Sequence, residues 1–284
     1  MGVLALLWGS GFLWIKLALT GLTPVQVTVL RCALGAGVLL VLAGFARQRL
    51  PRDRATWGRL VVAALFCNTL PFALFAIGEQ TVDSGIAGVL NATTPLWSVL
   101  IATALGERPR PVCLTGLALG FAGVLVIFAP WHQHGLASWG SLALLAAAAS
   151  YAVAFAYMGR HLVNRGEPLA MSAAQLLAAT GLATLTLPAG GFDRAPTTGA
   201  LLAVAVLGIA ATGVTFYLNY RVIEDEGPTA AATVGYLLPV VSVALGALVL
   251  DESVGPRVVA GMAIVLVGVA LTRLTPTARV VPVR

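Results

Sequence analysis

Ten apolar runs, each long enough to cross a bilayer, occupy nearly all of this 284-residue chain. They fall at residues 2–20, 25–45, 59–79, 85–105, 112–130, 138–158, 168–188, 198–220, 229–250 and 256–273. A spanning helix takes about 20 mostly apolar residues, whereas spanning strands give alternating runs of about 10. These runs are too long and too unbroken for strands. In lipid, backbone polar groups must be satisfied within the segment. The predicted fold is therefore all-α and integral to the membrane, with ten transmembrane helices. Charged residues make up only 10% of the chain, against about 25% in a soluble domain. No basic stretch precedes the first run and no small-residue cleavage site follows it, so residues 1–20 are expected to stay as a first helix.

The net charge of +6 would suit nucleic acid, but its distribution points elsewhere. With the N-terminus placed inside, thirteen arginines fall in inner loops and the tail, and two, Arg194 and Arg257, fall in outer loops. That bias follows the positive-inside rule. It puts both termini in the cytoplasm, orients the arginines toward anionic lipid and leaves no surface for nucleic acid. Lys16 and Arg31 lie inside runs, near the outer ends of their helices. There a long side chain snorkels to the interface, or else attracts an anionic group at the outer mouth. Cys32, Cys67 and Cys113 are scattered and form no disulfide framework or CxxC pattern. His132 and His134 lack a carboxylate or thiol partner, so neither a metal nor any other cofactor is expected.

The two halves of the chain rhyme. Glu107, Pro111, Gly116 and Gly123 recur 145 residues later as Glu252, Pro256, Gly261 and Gly268. Asn68, Phe72, Pro95 and Ser98 pair with Thr212, Phe216, Pro239 and Ser242 at a spacing of 144. Residues 1–133 and 134–284 read as two copies of one five-helix unit. An odd number of spans turns the second copy upside down, and inverted repeats with a site between them are a common transporter plan.

Trp8-Gly9-Ser10-Gly11-Phe12 with Lys16 and Leu30-Arg31 resembles the first two helices of EamA-type members of the drug/metabolite transporter superfamily. Asn91-Ala92-Thr93-Thr94-Pro95-Leu96 and Gly106-Glu107-Arg108 resemble the end of their first repeat; Leu238-Pro239, Asp251-Glu252 and Gly261 through Gly268 resemble the end of the second. The resemblance implies ten helices in two inverted repeats and movement of small metabolites or drugs, often outward. The second repeat has no counterpart of Asn91.

Polar residues within spans must face protein or water, and helical spacing gathers them into stripes. Asn68, Phe72, Phe75 and Glu79 form one, and Thr212, Phe216 and Asn219 form its repeat-related partner. Ser10, Trp14, Asn91, Thr94, Tyr151 and Tyr236 complete the candidate substrate-binding set. The plainer reading is that these groups bond helix to helix. Pro95 and Pro239 each remove a backbone donor inside a span, and are candidate bending points. Glu107 and Glu252 precede the prolines that open the next helices, where negative charge complements a helix N-terminus. Glycines in the fifth and tenth runs permit close helix contact, within the chain or at a homodimer face. Glu79 and Asp83 leave proton coupling open.

These features favour a secondary transporter moving small metabolites or drugs across the plasma membrane by alternating access, with export as the expected direction. No GxxxxGK[ST] motif for a nucleotide occurs. The alternative, an intramembrane enzyme acting on lipid or an embedded substrate, would need a cluster of His and carboxylate groups, and the dispersed histidines and acids do not supply one.

Overall fold

The structure is a computed structural model and describes residues 2–82, 84–106, 109–129, 138–189, 196–241 and 255–273. The roles expected of Glu107, Glu252, Asp83, His132 and His134 lie outside the described residues. All regular structure among the described residues is helical.

The helices follow the apolar runs. α1 comprises Gly2–Gly9 and Gly11–Ala18, and α2 is Pro24–Phe45. α3 comprises Arg54–Ala64, a π-turn at Leu65–Thr69, and Leu70–Gly78. α4 comprises Ser84–Asn91 and Thr94–Ala104; α5 is Pro111–Phe128, α6 is Trp139–His161 and α7 is Pro168–Thr184. α8 comprises Thr198–Gly208, a π-turn at Ile209–Val214, and Thr215–Glu226. α9 starts at Pro228–Thr233 and passes through a 3₁₀ turn at Val234–Tyr236, and α10 is Pro256–Arg273.

Local chemistry sets the ends. Thr23 and Gln26 cap α2 reciprocally, with Pro24 at the first turn. The Asp53 carboxylate accepts from the Thr56 N–H at 2.7 Å, so α3 begins earlier than its apolar run. That bond holds the Asp53 carboxyl below its usual range. Gly227 ends α8 at φ 92°, a conformation that favours glycine.

Packing pairs the halves. α2 lies against α7, α5 against α10, and α4 against α9. The contact of α3 with α6 has its equivalent in α8 with α1, and that of α3 with α7 in α8 with α2. The glycines of α5 and α10 are spent in this packing. A Cβ placed on Gly116 would meet the Gly268 carbonyl at 2.7 Å, and one on Gly123 would meet the Gly261 carbonyl at 2.8 Å. A large core joins α1–α4 and α6–α9, and a smaller one joins α4, α5, α9 and α10.

The exterior is apolar. Val3, Leu13, Val41, Phe45, Leu100 and Leu202 are all exposed. Water would penalise such a surface, and hydrocarbon suits it. Five helical runs are long and apolar enough to cross a membrane: Pro24–Phe45, Arg54–Gly78, Ala87–Ala104, Trp139–His161 and Thr198–Glu226. Hydroxyls inside the bundle mostly bond back to their own helix, as Thr28 does to the Pro24 carbonyl at 2.8 Å. The chain is a multi-pass membrane protein.

Candidate functional site

The irregular turns sit where the polar residues are. Asn68 lies in the first π-turn and Thr212 in the second. A π-turn breaks the regular ladder and recurs at functional sites. In α8 the Thr212 hydroxyl donates to the Leu207 carbonyl at 2.8 Å and accepts from Arg31 Nε at 3.1 Å. In α3, Asn68 Oδ1 accepts from Gln175 Nε2 at 2.7 Å. Gln175 stands 144 residues after Arg31, as Thr212 stands 144 after Asn68. The two hydrogen bonds are therefore one bond, made once from each half. The neighbouring positions repeat the relation: the Thr69 hydroxyl donates to the Ala179 carbonyl, and their counterparts Gly213 and Gly35 pack backbone to backbone.

An aromatic cluster adjoins Arg31, whose guanidinium rests on the Phe72 ring. Phe72 and Phe216, themselves 144 residues apart, meet edge to face at 5.6 Å. Trp8 meets Tyr151 edge to face at 5.8 Å, and Tyr151 stacks on Phe155 at 5.9 Å. Phe12 leans on Phe75 at 5.7 Å. Two interior cavities adjoin the cluster and share Trp8, Asn91 and Tyr151 in their walls. Thr94 and Phe155 complete one; Phe12, Arg31 and Phe75 line the other. Among the described residues both are narrow, with room for water-sized occupants.

The break in α4 shapes one wall. Pro95 has no N–H to offer the Asn91 carbonyl one turn earlier, and the Thr94 hydroxyl takes that carbonyl at 2.7 Å. Asn91 is thereby held at a helix end with its side-chain oxygen unpaired. Pro239 follows the 3₁₀ turn of α9, with Leu238 where α4 has Thr94.

The structure brings Asn91, Thr94 and Tyr151 to the cavities, and Phe72 and Phe216 to the cluster beside them. Asn68 is buried against Gln175. Asn219 is 1% exposed, and neither of its amide atoms has a hydrogen-bond partner among the described residues. Three residues stand elsewhere. The Ser10 hydroxyl bonds the Leu7 carbonyl at 2.8 Å within α1. Trp14 lines an apolar groove on the exterior with Leu17, Leu202 and Val206. Tyr236 is fully buried in the smaller core and donates to the Leu117 carbonyl at 3.0 Å, tying α9 to α5.

The snorkelling expected of Arg31 is overturned. Its side chain turns into the bundle, is 4% exposed, and stacks its guanidinium carbon 3.6 Å from the centre of the Phe72 ring. Lys16 also folds inward, donating to the Glu79 and Val82 carbonyls at 3.1 Å each, where a cation suits a helix C-terminus. Glu79 is buried, 1% exposed, with both carboxylate oxygens unpartnered among the described residues. The sequence reading also passed over Gln175, the one amide in the run 168–188, which signals an inward-facing group. It passed over Trp8 and Phe12 as site residues, although both lie in the Trp8–Phe12 motif.

Comparison with known proteins gives a consistent result. A model described as the EamA-like transporter family matches residues 1–129 and 138–274. The chain is 26% identical over 245 residues to "Uncharacterized inner membrane transporter YedA" of Escherichia coli, covering 86% of this chain and 79% of that protein. It is 28% identical over 278 residues to "Uncharacterized transporter YvbV" of Bacillus subtilis, covering 95% and 89%. It is 31% identical over 254 residues to "Uncharacterized protein PA1977" of Pseudomonas aeruginosa, covering 89% and 85%. A solved structure described only as "Crystal structure of protein" superposes with a TM-score of 0.76 at 21% identity, over 97% of this chain and 96% of the other. At that identity the superposition speaks for the fold.

Proposed function

We propose that this chain, which belongs to the EamA-like transporter family, is a secondary carrier that moves a small organic solute by alternating access between two inverted five-helix halves. Membership and the names of its relatives make it a membrane transporter; the mechanism is our reading. The observation that carries it is the equivalent pair of hydrogen bonds, Arg31 to Thr212 and Gln175 to Asn68. Each joins the second helix of one half to the third helix of the other. Two like contacts, one from each half, can exchange strengths, which would open the cavity that Arg31 lines to one side and then to the other.

The ten helices span the membrane under this reading, with both termini cytoplasmic and the plasma membrane as the site. Residues 1–133 and 134–284 are the two halves, and the two segments matched by the family model support that division. Asn91, Thr94, Tyr151 and Phe216 contact the solute when the cavity opens, and Pro95 and Pro239 mark where α4 and α9 bend. Export is the expected direction. A homodimer would need a surface other than the glycine stripes, which α5 and α10 use on each other. The enzyme alternative draws no support from the relatives' names.

The test is flux in proteoliposomes without nucleotide, with labelled amino acids and aromatic metabolites loaded in turn, with and without an imposed pH gradient. Saturable movement of at least one solute supports a carrier, and acceleration by the gradient adds proton coupling. Chemical conversion with no movement would replace the carrier by an enzyme.

A further inference from the structure

We infer that the cavity takes a small organic monoanion, a carboxylate on a planar apolar body, with the carboxylate on Arg31. This deepens the carrier reading and rests on it for the role of the cavity, though binding is measured apart from transport.

The argument starts from the repeat. At the mirrored position the other half carries Gln175, a neutral amide, and makes the same helix-to-helix bond with it. Packing therefore needs one N–H donor there and no charge. Arg31 supplies that donor through Nε and brings a full positive charge besides. Burying a cation is costly unless it is paired. Among the described residues no carboxylate lies within ion-pair distance of Arg31; the charge of Glu79 reaches it only from farther off. The guanidinium rests on the Phe72 ring and forms part of the wall of a cavity. A buried cation at a cavity wall is completed by an anion in that cavity.

The shape of the site sets the class. A guanidinium presents planar paired donors that match a carboxylate. One cation in the cavity wall suits a single negative charge, whereas a phosphate dianion commonly draws several basic groups. The remaining walls are Trp8, Phe12, Phe75 and Tyr151, whose ring faces suit a flat apolar body. The unpaired oxygen of Asn91 offers one neutral acceptor beside it.

The test is equilibrium binding to the purified full-length protein, followed by titration calorimetry. The probes are 3-phenylpropionate and its neutral isostere, 3-phenylpropionamide. The wild type is expected to bind the carboxylate at least about tenfold more tightly than the amide, roughly the worth of one charge-assisted hydrogen bond. Arg31→Gln should bring the ratio close to one. It should fold, since glutamine already makes this bond at position 175. Arg31→Lys keeps the charge without the planar fork and should retain part of the preference. Equal binding of the two probes, binding of neither, or a preference unchanged in Arg31→Gln overturns the assignment. The wild-type comparison decides even if a variant fails to fold. A protein that shows the preference but moves no solute in vesicles keeps this site and loses the carrier reading. Flux without the preference does the reverse.

Discussion

Asn219 shows what single residues contribute here. It is buried in α8 with both amide atoms unpaired, and an unsatisfied buried group of this kind costs about 1–3 kcal/mol. This arrangement of α8 therefore carries a penalty, which the proposed carrier cycle would relieve. Asn219→Leu keeps the same branched heavy-atom outline, with bulkier methyl groups, and removes the unpaired atoms. We expect thermal unfolding in detergent to show the variant more stable by about 1 kcal/mol, and vesicle flux to fall. A variant no more stable than the wild type would mean the amide is already satisfied. Tyr236 makes the opposite case. Its hydroxyl reaches the Leu117 carbonyl deep between helices, so Tyr236→Phe should lower stability by about 1 kcal/mol and leave solute affinity unchanged in the same binding assay.

Helices meet according to which faces can approach. The α5–α10 crossing depends on glycine, because a Cβ at Gly116 would lie 2.7 Å from the Gly268 carbonyl. Gly116→Val should abolish the folded protein, read as loss of a monodisperse peak on size exclusion. Gly37, on α2, has open space around it. Gly37→Ala should be harmless or stabilising by up to about 1 kcal/mol. The break in α4 is another property of a whole element. Pro95→Ala would return an N–H to the Asn91 carbonyl and let α4 run straight through residues 91–94. Expression should persist while flux falls several-fold; unchanged flux would remove the proline from the mechanism.

The proposed inverted repeat is a property of the whole molecule. Val112 and Arg257 stand 145 residues apart, both exposed, each in the first turn of its helix, α5 and α10. Single cysteines at these two positions, with the buried Cys32, Cys67 and Cys113 replaced, should label from opposite sides of the membrane with an impermeant maleimide. Labelling from one side only would leave the halves parallel and the alternating mechanism without its geometry.

The helical fold and the membrane setting were legible in the amino-acid order, because the period and length of apolar runs report directly on what lipid will accept. The rhyme of the two halves was legible too, since Asn68 and Thr212 or Pro95 and Pro239 need only be counted. The placement of long polar side chains was not. Arg31 and Lys16 lie near helix ends, and sequence gives a helix position without the direction of a flexible chain. Only the tertiary structure turned Arg31 onto Phe72 and Thr212, sent Trp14 to the exterior, and spent Tyr236 on packing. Those outcomes depend on which helix lies alongside, and in a bundle whose helices are apolar on nearly every face, sequence does not fix the neighbour.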